Sequence, residues 1–229
     1  MLTKRDKKVI ISVAKHKILS KPQIIKLHFP SDETCQRRIR LELLANGYFD
    51  NPFYYNIIGT RKRLPLYRLA KKGKKLYKEL TGNDYDIPQW GLNYIPHLLE
   101  TNNITIHLWK SGLFKEFKIE RMLTSKIIPD SLMITKTGEK MAIEVDLSEK
   151  QRKNEIESKY RSYEKLTKSR SDELDYLVFY TNRPKTLNNW IGGVYNGGIK
   201  PIFVARTEEG RNKLIRKIEK TALEGVTIR

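Results

Sequence analysis

The segment 127–150 most restricts what this chain can fold into. Pro129-Asp130 leads into the apolar Leu132, Met133 and Ile134. Lys136-Thr137-Gly138 then reads as a turn, and residues 141–147 alternate strictly, with Ile143, Val145 and Leu147 on one side and Glu144 and Asp146 on the other. Period-two alternation beyond a Gly-bearing turn predicts a β-hairpin with one face in a core. Glu144 and Asp146 then share the opposite face, and the hairpin brings Asp130 back beside them. Three carboxylates crowded on one face repel one another unless a cation lies among them. An oxygen-only donor set suits Mg²⁺ or Mn²⁺. The plainer alternative is that Glu144 and Asp146 form the solvated face of a half-buried edge strand.

The flanking pattern extends this hairpin into a layered domain. A helix is expected over 94–109, with Asn102 and Asn103 as its weak point, and a strand over 115–122. After the hairpin come a helix over 148–168, a buried strand over 174–181, a short helix over 187–191, a second buried strand over 201–205 and a last helix over 208–223. Tyr160 and Tyr163 lie on the buried stripe of the 148–168 helix. All-apolar strands such as 176–180 and 202–204 belong in the centre of a sheet covered on both faces. The fold class is therefore mixed, α+β or α/β.

Charge separates this part from the rest. The chain of 229 residues carries a net +19, of which residues 1–82 hold +14, with twenty Lys and Arg against six Asp and Glu. So basic a unit is matched to a polyanion, with nucleic acid the default. Residues 83–93, with Asp84, Asp86 and Pro88, read as a linker between an N-terminal domain over 1–82 and a second domain over 94–229. The single cysteine, Cys35, excludes a disulfide framework and a cysteine-based zinc site, and points to a reducing cytoplasm. No signal-peptide pattern and no apolar run of membrane-spanning length is present, so no membrane partner is expected.

Within 1–82, helices are expected over 6–15, from Ser20 to before Pro30, and from Ser31 to Gly47, where Cys35, Ile39 and Leu43 form the buried stripe. A hairpin follows, with strands over 48–58 and 66–69 and a turn over 59–65 whose tip is Arg61-Lys62-Arg63. A basic helix over 70–80 with Lys71 and Lys72 closes the domain at Gly82. This order resembles a winged helix-turn-helix, in which the third helix enters the major groove and the wing follows the backbone. Arg37, Arg38 and Arg40 lie on that third helix. They spread over roughly 200° to 300° of its circumference, so at least one faces a phosphate or the protein rather than a base. Of the four histidines, His16 and His28 are expected at the surface, and His97 in a core or hydrogen-bonding role. None has metal-ligand spacing.

The hairpin resembles the PD-(D/E)xK nuclease signature, in which Asp and Glu bind the metal and a Lys two residues after the Glu assists the attacking water. Asp146 stands at that Lys position, and a third carboxylate supplies no positive charge to a developing oxyanion. Lys150 or Lys159 is the candidate replacement. Taken together, the basic N-terminal domain, His97-Leu98, Glu120, Pro129-Asp130, Glu144-Val145-Asp146, and Lys159 with Tyr163 resemble the replication-relaxation family of plasmids and mobile elements. The resemblance implies a winged helix joined to a restriction-endonuclease-like domain. It implies a DNA-binding protein of plasmid replication or mobilisation, and leaves open whether it cuts; the favoured reading of the residues is a nickase or endonuclease on duplex DNA with Mg²⁺ or Mn²⁺ held by Asp130, Glu144 and Asp146, while Glu120 orders the site. A non-catalytic initiator or accessory factor is the alternative, and a repressor acting through residues 1–82 a third reading. Other replication or mobilisation proteins, and a second copy of the chain, stay open as partners.

Overall fold

A computed structural model describes residues 1–57, 60–85, 92–148, 152–169 and 174–226. Lys150 and the middle of the expected linker, 86–91, lie outside the described residues. Backbone proximity divides the chain into two compact units, Met1–Ile106 and His107–Arg229.

The first unit contains α1 (Lys4–Lys15), β1 (Leu19–Ser20), α2 (Lys21–His28), α3 (Asp32–Arg38), β2 (Phe53–Asn56), β3 (Arg63–Tyr67) and α4 (Lys71–Thr81). The boundary between units falls within α5 (Ile95–Lys110). The first three helices start where side chains satisfy orphan N–H groups. Thr3 with Asp6, and Ser20 with Gln23, form reciprocal capping boxes, and Ser31 accepts from the Thr34 N–H. The core is built from Val9, Ile10, Val13, Ile24, Cys35, Ile39, Leu43 and Leu69. Beyond Arg38 the third helix widens to a π-helix over Ile39–Leu44, with Ile39 and Leu43 buried and Arg40 and Leu41 exposed.

The strands form an antiparallel sheet in the order β1-β3-β2. The expected turn over 59–65 is shorter than the sequence suggests, because β3 begins at Arg63 and includes Pro65. Proline is tolerated there because β1 pairs only with Leu66 and Tyr67, leaving one edge of β3 unpaired at Pro65 among the described residues. Gly73 lets α4 sit directly on the Tyr48 carbonyl, since a Cβ at this position would lie 2.1 Å from that oxygen.

His16 is not a surface residue but is 1% exposed, and Asn102 does not break α5. Asn102 is itself fully buried. Its amide donates to the carbonyls of His16 at 3.2 Å and Ile18 at 2.7 Å, and its oxygen lies 2.9 Å from His16 Nδ1. A helix-disfavoured residue is retained because its polar groups are satisfied outside the helix.

The second unit holds β4 (Phe114–Ile119), β5 (Ser131–Thr135), β6 (Lys140–Asp146), α6 (Lys153–Ser169), β7 (Tyr176–Thr181), α7 (Pro184–Gly192), β8 (Pro201–Ala205) and α8 (Glu208–Val226). The sheet order is β4-β5-β6-β7-β8, antiparallel through β6 and parallel from there. This is a mixed α+β fold built on a mixed five-stranded sheet. β6 is therefore central, and every residue from Met141 to Val145 is buried, which removes the reading of Glu144 as part of a solvated edge. Tyr160, Tyr163 and Leu166 of α6 pack with Ala142, Leu177 and Phe179 on one face. Among the described residues no helix is long and apolar enough to cross a membrane.

Candidate active site

The hairpin positions two of its three carboxylates together. Ile119, Ser131 and Ile143 pair across β4, β5 and β6, and one step beyond them lie Glu120, Asp130 and Glu144. The Glu120 N–H donates to the Asp130 carbonyl at 3.1 Å, and the Val145 N–H donates to Asp130 Oδ2 at 2.7 Å. The Asp130 side chain thus extends the ladder past the end of β5 and is fixed beside Glu144. Glu120 has a positive φ of 53°, a left-handed conformation that costs a non-glycine residue about 1–2 kcal/mol.

Glu144 is 3% exposed. Lys159 and Tyr163 reach it from α6, Lys159 donating to one carboxylate oxygen and Tyr163 to the other. Burial first, and then the charge of Asp130, push the Glu144 carboxyl up to about 7, against the pull of Lys159 and Tyr163. Burial alone would lower the Lys159 ammonium. The charge of Glu144, followed by that of Asp130, outweighs it and holds the ammonium above its ordinary value. Burial and the neighbouring Glu144 raise the Tyr163 phenol, keeping it a donor. The pair faces a cleft of about 640 Å³ whose walls include Ser125, Lys126, Ser158 and Ser162, so Glu144 lies at the floor and the half-exposed Lys159 at the mouth.

Asp146 is held elsewhere. It accepts from Ser148 N at 3.0 Å, Thr181 Oγ1 at 2.9 Å and Arg183 Nη2 at 3.2 Å, and the Ser148 hydroxyl also donates to it. Burial opposes ionisation here, yet these hydrogen bonds together hold the carboxyl below its usual range. Among the described residues no group of three His, Cys, Asp or Glu is arranged to hold a metal ion. Arg183 was not anticipated from the sequence. Its place two residues past a buried parallel strand, where α/β sheets put their ligands, is the signal that could have found it. It also lies over the Trp190 ring at 5.4 Å.

The basic candidates of the first unit separate by exposure. Arg37 and Arg40 lie on an exposed helical face with Gln36 and Leu41, while Arg61, Lys62, Arg63, Lys71 and Lys72 are all exposed. Lys72 sits 4.6 Å from the Tyr48 ring centre. Arg38 differs: it donates through two nitrogens to Asp6, which is fully buried, and lies 3.4 Å from Glu42. It ties α3 to α1.

The family model for replication-relaxation matches residues 11–179, a span that includes the basic helices, Glu120, Asp130, Glu144, Lys159 and Tyr163. Neither a curated protein nor a solved structure matches. The matched span covers most of the chain, and such membership suggests a role in the replication or mobilisation of plasmids and mobile elements; the chain belongs to the replication-relaxation family.

Proposed function

We propose that this protein is a metal-dependent DNA nickase or endonuclease of replication or mobilisation, with a winged-helix N-terminal unit that binds duplex DNA and a PD-(D/E)xK-like second unit that cuts it. The observation that carries the reading is the Lys159 ammonium on Glu144. The strand lacks positive charge at Asp146, and α6 delivers it from the side to the same carboxylate.

The donor set fits a hard divalent cation. Mg²⁺ or Mn²⁺ is commonly held by one or two carboxylates while keeping several waters, and Asp130 and Glu144 are two such carboxylates fixed side by side. A carboxylate offers about four lone-pair sites, so Glu144 can serve a cation while Lys159 and Tyr163 remain on it. A cation would also relieve the burial and mutual repulsion that raise the Glu144 carboxyl. Lewis-acid activation of an attacking water is the chemistry such an ion supplies. Lys159, kept protonated by its neighbours, donates to a phosphate oxygen at the mouth of the cleft and offsets the charge that grows there. Tyr163 positions Glu144, and the hydroxyls of Ser125, Ser158 and Ser162 with Lys126 line the path of a phosphodiester. In the first unit, Arg37 and Arg40 face the major groove, Arg61, Lys62 and Arg63 follow the phosphates, and Lys71 and Lys72 add to the basic surface.

A second reading is a non-catalytic initiator that keeps the fold as a scaffold. Its specific support is the capture of Asp146 by Arg183, Thr181 and Ser148, which withdraws the third carboxylate. Calorimetric titration with Mn²⁺ separates the two readings. The nuclease reading predicts one site in the wild type that disappears in Asp130→Ala and in Glu144→Ala. No heat of binding, or binding unaltered in both variants, supports the scaffold.

A further inference from the structure

Among the described residues the sheet of the second unit ends at β8, which pairs on one side only, with β7. Two helices flank this open edge from opposite faces. α7 packs through Leu187 and Ile191 into the cluster that contains Phe179. α8 lies on the other face, where Arg211 donates to the Tyr180 hydroxyl at 2.6 Å. Between them is a groove of about 600 Å³, and all five residues of β8 line it. A groove lined by consecutive strand residues follows the edge of the backbone rather than one face of the sheet, because alternate side chains point to opposite faces. Within it no backbone hydrogen bond from β8 to a third strand occurs among the described residues. Native proteins commonly cover or disrupt such edges.

The walls are cationic. Lys185 of α7, Lys200 at the entry to β8, and Lys213 and Lys217 of α8 line the groove, against a single acid, Glu209, which pairs with Lys213 at 2.6 Å. Phe203 and its neighbours give the floor an apolar component. We propose that the open edge of β8 is a strand-acceptor slot that takes an acidic, extended peptide segment of a partner protein. The partner's main chain pairs with β8, and its carboxylates meet Lys185, Lys200 and Lys217. Charge argues against a second copy of the chain, since β8 pairing with itself would bring two sets of lysines together. Backbone chemistry argues against DNA, because a phosphodiester has no N–H to give to the strand's carbonyl oxygens and would set anionic oxygens against them.

The full chain is titrated, by fluorescence anisotropy, with a labelled nine-residue peptide of alternating Asp and Val. Expected results are saturable binding, at least tenfold weaker binding of the Asn-Val peptide, and a similar loss for a variant with Lys185→Glu, Lys200→Glu and Lys217→Glu. Two N-methylated peptides test strand pairing on the unaltered protein. Methylating one alternate set of amides should abolish binding, and methylating the other should leave it within about threefold of the parent. The proposal is overturned if the acidic peptide does not bind. Equal binding of both methylated peptides would overturn it too, by reducing the interaction to charge alone. So would displacement of the peptide by a short DNA duplex at equal concentration, or a lysine-dependent dimer in sedimentation, since these would assign the groove to DNA or to a second copy.

Discussion

Lys159 of α6 donates to the buried carboxylate of Glu144 on β6, so the only ammonium bonded to that carboxylate among the described residues comes from a helix rather than from the strand. Replacing Lys159 by Met should lower the rate of DNA cleavage by about 10² or more, the cost of losing one charged donor at a developing oxyanion. Affinity for duplex DNA should stay within about threefold, because net charge lies mainly in residues 1–82. Single-turnover cleavage with parallel binding measurements checks both halves. Lys159→Arg should recover part of the rate by keeping the charge.

The arginines and lysines of the first unit should divide into two kinds. Changing Arg61, Lys62 and Arg63 together to Ala should reduce the slope of log affinity against log salt by about one unit for each DNA phosphate that is no longer neutralised, about three at most. Arg38→Ala should act on folding instead. It leaves the buried Asp6 with only its Thr3 hydrogen bonds, and losing a hydrogen bond to a charged group costs about 1.5–3 kcal/mol, at the lower end here because Arg38 is partly exposed. Urea unfolding followed by circular dichroism, alongside salt-dependent binding, separates the two effects.

The parts legible in the sequence are those fixed by short-range patterns. The alternation around Glu144 and the turn at Gly138 predict β5 and β6, and Pro129-Asp130 predicts the second carboxylate. The capping residues Ser20 and Ser31 mark α2 and α3 correctly. What escapes depends on distant partners. Asp146 is read as a third site carboxylate because Thr181 and Arg183, which hold it, come more than thirty residues later. His16 is read as exposed because the group that satisfies it, Asn102, lies in another helix. Arg63 is assigned to a turn because Pro65 looks like a strand breaker. Only the sheet order reveals that its edge is open there.

Acid should weaken the first unit through His16. Burial first, and then the charges of His28 and Lys15, lower its imidazole to about 4, with the Asn102 hydrogen bond pulling the other way. The unfolded chain takes up a proton near 6.5 that the folded chain refuses until about 4. Stability is therefore present above that unfolded value and is lost as pH falls toward the folded one. The loss from this group amounts to about 3 kcal/mol across the interval. Urea unfolding at several pH values checks this, and His16→Gln should reduce the dependence even if it lowers stability throughout, leaving the part due to His28, whose imidazole burial also lowers to about 4.

Conversion of supercoiled plasmid to open-circular or linear DNA tests the central claim most directly. It is measured for wild type, Asp130→Ala and Glu144→Gln with Mg²⁺ or Mn²⁺ and with EDTA. The account predicts product with wild type and metal only, and at least a hundredfold loss in either variant, on the order of what a lost charge-stabilising group costs. Intact plasmid under every condition, with the cognate origin present and the protein folded and bound to DNA, would contradict it.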